Sequence, residues 1–186
     1  MKILLASQSP RRRQILEEMG HQVEAVHPTF DEQQVPFNAP PAYVETLAAG
    51  KGRSIKGEKD RLLVAADTIV CLDGVILGKP SDEKEAFEML RSLSGRTHHV
   101  YTGVYLRYLG EEQIFTDCTA VHFRPLSQEE IRRYIATGSP MDKAGAYGIQ
   151  DSDFAAFIEG SFTNVVGFPA ERFEAYLQEI QERGKK

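Results

Sequence analysis

The segment from Ser7 to Arg13 combines residue types that bind anions. Two serines and Pro10 stand directly before three consecutive arginines. Ser9 is a favourable N-cap residue and Pro10 suits the first helical position, so a helix is predicted to begin here. The helix dipole already makes this end positive, and arginines there make sense if an anion is held by free N–H groups, hydroxyls and guanidinium groups. The segment therefore favours an anion site over the alternative, a solvated basic turn.

A single carboxylate, Asp67, interrupts the apolar segment 64–70. Burying a carboxylate without a partner is costly, so Asp67 is predicted either to pair with a cation in the core or to belong to a site. We favour the site, because an interrupted strand can carry a catalytic group. Asp31 and Glu32 form a second acidic pair that, taken alone, would be a solvated loop feature. Together with Asp67 they could provide oxygen ligands for a hard cation such as magnesium, which usually lies beside substrate phosphates.

Three lysines, Lys51, Lys79 and Lys143, are lone cations next to small residues or glycine. Taken singly, each would be read as a surface lysine. Lys79 lies in the stiff turn Gly78-Lys79-Pro80, which does not match a phosphate-binding P-loop because the glycine spacing is wrong and Pro80 replaces the hydroxyl residue. The sequence shows neither a dinucleotide fingerprint nor a convincing serine–histidine–aspartate arrangement. Attack by water under a carboxylate base is therefore the simplest chemistry.

Alternating strands and helices must position these residues. A strand is predicted before Ser7, a tight hairpin at Asp73-Gly74, and a capping box between Ser127 and Glu130. Further strands are predicted at 22–26, 62–72, 75–77, 98–108, 113–124 and 154–158, and helices at 10–19, 43–55, 82–93 (capped by Ser81), 127–138 and from 169 onward. The segment 27–41 is predicted to be a functional loop or lid. Hairpins and crossovers both occur, which predicts an α/β protein with a mixed sheet.

Composition restricts the class of partner. The net charge of −5 gives no basic field that would attract nucleic acid or an acidic membrane. The chain has no apolar stretch near the ~20 residues of a membrane-spanning helix. Cys71 and Cys118 form neither a zinc motif nor a redox pair, and we expect two buried free thiols in a reducing, cytoplasmic compartment. The length of 186 residues suits one domain, 1–186.

The ordered motifs together resemble the Maf family of nucleoside triphosphate pyrophosphatases, nearly from end to end. The segments that carry the resemblance are Ala6 to Arg12, Asp31-Glu32, Leu47 to Lys51, Ala66 to Thr68, Gly78 to Pro80, Ser94 to Val104, Asp142 to Gln150 and Asn164 to Gly167. Two departures, Asp151 in place of a glycine and Phe168 in place of a leucine, are expected to affect only local loop shape. The resemblance implies a mixed twisted sheet flanked by helices, with two lobes around a central cleft, similar to the inosine triphosphate pyrophosphatase fold.

The resemblance also implies the reaction and the residue roles. A nucleoside triphosphate would be hydrolysed between its α and β phosphates, with Asp67 as general base and a divalent metal cation, magnesium or manganese, held by Glu32 and Asp67. Four residues would bind the phosphates: Ser7, Arg12, Lys51 and Lys79. The active protein is expected to be a homodimer that binds neither nucleic acid nor membrane.

The identity of the nucleobase is suggested by three positions. Arg11, Thr68 and Gln150 resemble the branch that acts on dTTP and UTP, whereas the branch that prefers a methylated guanosine triphosphate has a glutamate at the last position. A neutral amide offers both a donor and an acceptor to the pairing edge of uracil or thymine. The alternative hypothesis is a regulatory binding protein linked to cell division and septum formation. Such a module would have no need of Asp67 in an apolar strand.

Overall fold

The computed structural model describes residues 1–57 and 60–183, with side chains up to residue 180. The strands are β1 (Lys2–Ala6), β2 (Gln22–Val26), β3 (Leu62–Leu72), β4 (Val75–Leu77), β5 (Thr97–Tyr108), β6 (Glu111–Phe123) and β7 (Ala155–Glu159). The helices are α1 (Pro10–Glu18), α2 (Pro40–Ser54), α3 (Glu83–Leu93), α4 (Gln128–Ile135), α5 (Phe162–Val166) and α6 (Ala170–Arg183). Within these residues no helix is long and apolar enough to cross a membrane.

One mixed sheet organises the described residues. Its strand order is β2-β1-β3-β5-β6-β7, and β4 pairs with the end of β3. The strands β2, β1 and β3 run parallel, while β3, β5, β6 and β7 pair antiparallel. The parallel strands are joined by helical crossovers, and the tight turns at Asp73-Gly74 and Leu109-Gly110 form the antiparallel hairpins β3–β4 and β5–β6. The predicted α/β class with a mixed sheet is confirmed.

Helices cover the sheet on both faces. The helix α2 packs on one face through Ala48 and Ala49, against alternate residues of β1, β3 and β5. On the opposite face, α1 and α6 bury Leu16 and Phe173 in a larger cluster. A separate core gathers α3, α4 and the far ends of β5 and β6. The long strands β5 and β6 contribute to both halves, since Val100 belongs to one core and Val104 to the other.

The contact between α2 and β5 depends on Gly103. A Cβ added at this position would lie 2.4 Å from the backbone carbon and oxygen of Val44 in α2. Two backbones therefore touch where only a hydrogen fits, and this close approach fixes the height of α2 above the sheet.

Gly103→Ala should destabilise the fold, because the helix backbone cannot yield as a flexible side chain would. We expect the free energy of unfolding to fall by about 1–3 kcal/mol, the usual range for overpacking. Chemical denaturation followed by circular dichroism would measure the change. Gly78→Ala is the matched control, since no atom of the described residues lies within 4 Å of a Cβ there. Equal stability of the two variants would contradict the proposed role of Gly103.

Several predicted boundaries are wrong by a few residues. The helix α2 begins at Pro40 instead of Tyr43, and α3 is capped by Asp82, whose side chain accepts from the Glu85 amide at 2.7 Å. Ser81 instead donates its hydroxyl to the Glu85 carboxylate. The short helix α5 was not predicted, because five residues are too few to show periodicity.

The prediction of two buried thiols holds for Cys71 only. Both cysteines are free, but Cys118 is exposed. Along β6 the buried positions are Phe115, Thr119, Val121 and Phe123, so the alternation of the strand turns Cys118 to the other, more open face.

Candidate active site

A cavity of about 1010 Å³ opens between the core that α3 and α4 form and the core that α1 and α6 form. It lies at the carboxyl end of β1, which stops at Ala6 while the neighbouring β3 continues to Leu72. Strand β1 pairs with β3 only through residues 62–64, and β4 pairs only through residues 70–72. Among the described residues, the middle of β3 therefore has an unpaired edge on this side. This edge lies beside the carboxyl end of β1, and open α/β sheets place their ligands outside the carboxyl ends of strands.

The consecutive residues Asp67 and Thr68 project to opposite faces of β3, and the cavity wraps around the unpaired edge to include both. Asp67 lies on the face covered by α2. Thr68 lies on the face of α1, where its hydroxyl is 2.9 Å from that of Thr102. Strand β3 thus contributes one residue to each side of the cavity.

On the α1 face, Arg12 is buried and only 7% exposed. Its guanidinium group donates from Nε to the Gly167 carbonyl at 3.0 Å, from Nη1 to Ser7 Oγ at 2.9 Å and from Nη2 to Thr68 Oγ1 at 3.2 Å. Burial lowers the pKa of Arg12 to about 10, although the negative charge of Asp67 acts in the other direction and raises it. The group remains a cation at neutral pH, and all three acceptors are neutral oxygens. Such a charge is well suited to meet an anion in the cavity.

On the α2 face, Lys51 lies between two carboxylates. Its ammonium nitrogen is 2.5 Å from Asp67 Oδ1 and 3.1 Å from Glu32 Oε1. The side chains of Lys51 and Asp67 are 11% and 14% exposed, whereas that of Glu32 is 49% exposed. The sequence favours a site over a core ion pair for Asp67, and in the structure this carboxylate pairs with Lys51 at the wall of the cavity.

The donor set on this face suits a hard divalent cation. The described residues contain no group of three or more histidine, cysteine, aspartate or glutamate side chains arranged for a metal. Magnesium, however, is commonly bound by one or two carboxylates together with substrate phosphates and water. Glu32 and Asp67, which share the Lys51 ammonium, satisfy the protein part of that requirement. Asp31 does not contribute: it caps the short turn Glu32–Gln34, accepting from the Gln33 amide, and it does not line the cavity.

The three arginines of α1 go to different places. Arg12 enters the cavity, and Arg13 forms a surface ion pair with Glu17. Arg11 lines the cavity but bonds across it, from Nη1 to Asp142 Oδ2 at 2.8 Å. The Arg11–Asp142 pair joins α1 to the segment after α4. Asp142 had no predicted role, because the two residues are 131 positions apart.

Two further predicted residues, Lys79 and Gln150, line the cavity from loops. Both side chains are exposed, and among the described residues neither forms a hydrogen bond or ion pair. The Gly78 carbonyl accepts from the Gly145 amide at 3.0 Å, which fixes the Lys79 turn to the segment that leads to Gln150. The structure thus brings all nine predicted site residues to one cavity; they are Ser7, Arg11, Arg12, Glu32, Lys51, Asp67, Thr68, Lys79 and Gln150.

Comparison with known proteins agrees with this arrangement. The profile of a family described as Maf-like protein matches residues 2–180. The chain belongs to the Maf family. The resemblance drawn from the ordered motifs is confirmed.

Two relatives match nearly the whole chain. A dTTP/UTP pyrophosphatase from Salinibacter ruber is 48% identical over 182 residues, which cover 95% of this chain and 89% of the relative. A dTTP/UTP pyrophosphatase from Carboxydothermus hydrogenoformans is 45% identical over 184 residues, covering 96% of this chain and 98% of the relative. Among solved structures, a HAM1 protein from Coxiella burnetii matches with a TM-score of 0.53 at 13% identity, covering 96% and 99% of the two chains. That likeness concerns the fold alone, and it confirms the predicted fold class.

In this Maf chain, Gln150 lies at the tip of a braced turn. The Asp151 amide donates to the Gly148 carbonyl at 3.4 Å. The Tyr134 hydroxyl accepts from the Gly148 amide at 2.9 Å and donates to Asp151 Oδ1 at 2.9 Å. A Cβ at Gly148 would lie 2.5 Å from that same carboxylate oxygen, so a side chain at this position would displace Asp151. Asp151, expected to affect only loop shape, therefore helps to hold the turn that places Gln150 at the cavity.

A buried histidine supports the opposite wall of the cavity. His98 Nε2 is 2.7 Å from the hydroxyl of Tyr147, a wall residue, and the two rings meet edge to face. Burial lowers the pKa of His98 to about 3, so the ring is neutral at physiological pH. His98 is therefore a packed, hydrogen-bonded histidine with a structural role behind Tyr147.

Proposed function

We propose that this chain is a nucleoside triphosphate pyrophosphatase that hydrolyses dTTP and UTP to the monophosphate and pyrophosphate. The observation that carries the proposal is the placement of Asp67. This carboxylate lies at the unpaired edge of β3. Lys51 contacts it on the α2 face of the strand, and the buried cation Arg12 lies on the opposite face, beside Thr68. A triphosphate carries several negative charges, and this cavity places a cation on each face of the strand that carries the carboxylate. The activity for which the relatives are named points the same way.

In the proposed reaction, Asp67 acts as general base. Oδ1 contacts Lys51, and none of the described residues donates a hydrogen bond to Oδ2. Oδ2 would accept a proton from water as the water oxygen attacks the α-phosphorus. A new bond forms between that oxygen and the α-phosphorus, and the bond from the α-phosphorus to the bridging oxygen breaks. Pyrophosphate leaves with the electron pair of the broken bond.

Four residues would stabilise the charge that develops on the leaving group. Arg12 and Ser7 lie together on the α1 face, since the serine hydroxyl accepts from the guanidinium group. Lys51 and Lys79 approach from α2 and from the turn after β4. Preoriented donors of this kind lower the barrier because they need little reorganisation as the reaction proceeds. Glu32 and Asp67 would hold a magnesium or manganese ion, which when bound would polarise the phosphate oxygens.

The nucleobase would be recognised by Gln150, with Arg11 and Thr68 nearby in the same cavity. The amide of Gln150 can donate to one position and accept from another on a pyrimidine. The brace formed by Tyr134 and Asp151 would reduce the conformational freedom lost when this side chain meets the base. Thr68, bonded to Arg12, would connect the base and phosphate ends.

Gln150→Glu should lower kcat/KM for dTTP and UTP by about 10-fold or more. The substitution replaces a donor by an acceptor and adds a negative charge, so an acceptor of the base would face another acceptor. The measurement is kcat/KM for dTTP, UTP and GTP on both proteins at saturating metal and one pH. Gln128→Glu, at the exposed start of α4, controls for the added charge. An unchanged preference for dTTP over GTP would remove Gln150 from the base site.

The proposal as a whole is tested by a panel of nucleoside triphosphates with magnesium or manganese, assayed for pyrophosphate release. Release of pyrophosphate and monophosphate from dTTP and UTP supports it. Release of inorganic phosphate instead, or failure with every triphosphate, would overturn it. The alternative of a regulatory binding protein gains no support from the relatives, whose names give an enzymatic activity. We further propose that the enzyme works as one domain, 1–186, in a cytoplasmic homodimer without nucleic-acid or membrane partners.

A further inference from the structure

The position of Lys51 has a consequence for how a metal enters the site, which rests on the proposed function. Lys51 is buried near the end of α2, and 9% of the surface of the whole residue is exposed. Its ammonium group contacts Asp67 and Glu32 at once, at 2.5 and 3.1 Å. These are the two carboxylates that would bind the divalent ion. The lysine therefore occupies the space between the metal ligands.

An ammonium group and a divalent cation cannot both fill that space. A magnesium ion binds carboxylate oxygens at about 2.0–2.1 Å, closer than the present nitrogen–oxygen contacts. A metal that engaged both carboxylates would meet the ammonium group at short range, where like charges repel strongly in a poorly solvated site. One cation has to leave before the other can bind both ligands.

Rotation of the lysine side chain provides the means of exchange. The helix α2 itself is seated on β5 at Gly103, where no further approach is possible. The four-carbon stem of Lys51, in contrast, can swing its charge without moving the helix. A triphosphate in the cavity would offer the ammonium group new acceptor oxygens and so compensate it for the two carboxylates.

We propose that Lys51 is a tethered placeholder cation. In the nucleotide-free protein it neutralises Asp67 and Glu32 and keeps a free divalent ion from binding both. When a nucleotide enters, Lys51 transfers to the phosphates, and the two carboxylates become available to the metal that accompanies them. The metal thus binds well only together with the triphosphate.

The experiment measures manganese binding to the nucleotide-free protein by electron paramagnetic resonance, comparing wild type, Lys51→Met and Lys79→Met. We expect Lys51→Met to bind manganese about 10-fold or more tightly than wild type, because a repelling charge is removed and two ligands are released. Lys79→Met, the matched loss of one lysine charge at the same cavity, should stay within about 3-fold of wild type, since Lys79 has no carboxylate contact among the described residues. The double variant Lys51→Met/Asp67→Asn should lose the gain.

Equal manganese affinity in wild type and Lys51→Met would overturn the placeholder role, as would an equal gain in Lys79→Met. Lys51→Gln serves as a second neutral variant if the methionine variant does not fold, which thermal unfolding would reveal. The titration contains no nucleotide, so its outcome is independent of pyrophosphate release by the wild type. A failed placeholder would leave the pyrophosphatase proposal standing, and a failed activity assay would not explain a gain in metal affinity.

Discussion

Asp67→Asn should lower kcat by about 10²–10⁴-fold, the usual loss when a general base is removed. The amide cannot accept a proton from water, yet it keeps the shape of the carboxylate and can remain beside Lys51. A weakened metal contact would add to the loss. Nucleotide binding should be largely spared, because the phosphate contacts come from other residues. Steady-state kinetics with dTTP, together with equilibrium binding of a non-hydrolysable triphosphate, would separate the two effects.

A matched control for this variant is Asp73→Asn. Asp73 lies in the exposed hairpin turn after β3, at a φ of 51°, where asparagine is well tolerated. The Asp73→Asn substitution removes the same charge from the same strand–turn unit. It should leave kcat within about 2-fold of the wild-type value, as expected for a surface position. Near wild-type turnover in purified Asp67→Asn would show that Asp67 is not the base.

Arg12→Ala should raise KM for all triphosphates alike, by roughly 10–150-fold, because removing a guanidinium–phosphate interaction from an enclosed site costs about 1.5–3 kcal/mol. The residue is proposed to bind phosphate, which every triphosphate carries. KM and kcat for dTTP, UTP and GTP would be compared between variant and wild type. An effect confined to one base would contradict the phosphate role.

Stability has to be controlled in this experiment, since Arg12 also bonds the Gly167 carbonyl and Thr68. Thermal unfolding with and without nucleotide would separate a weaker fold from weaker binding. Arg13→Ala removes the same charge from the same helical turn, but among the described residues it breaks only an exposed pair with Glu17. Its KM should stay close to that of wild type.

The fold was predictable where local chemistry and long-range packing agree. The limits of β3 follow from an apolar run bounded by the tight turn at Asp73-Gly74, and the structure gives the same limits, Leu62–Leu72. The capping box at Ser127 is likewise local and is confirmed. The N-cap of α3 was predicted wrongly, because two neighbouring residues both suit that position. Ser81 and Asp82 are both good caps, and Glu85 bonds to both of them.

The sequence indicated which residues would line the candidate site, but not how they are arranged there. Lys51 and Asp67 can each be recognised in the sequence, yet nothing in their spacing shows that one ammonium group bridges Asp67 and Glu32. The same holds for Asp142, which contacts Arg11 only because the chain returns to α1 after α4. Tyr134 carries no motif at all, and its role in holding the Gln150 turn depends on where α4 packs. Contacts between distant segments are set by the tertiary fold, which local patterns do not encode.

The length of β5 and β6 has a consequence for how the molecule tolerates damage. Each strand runs through both cores: Val100 and Val121 pack in one, and Val104 and Phe115 in the other. Neither half can lose its sheet without unpairing strands that the other half needs, so the chain should unfold as one cooperative unit. A disruptive substitution in the α3–α4 core would then deplete active enzyme in the cell without touching the cavity, because it lowers the folded fraction of the whole protein.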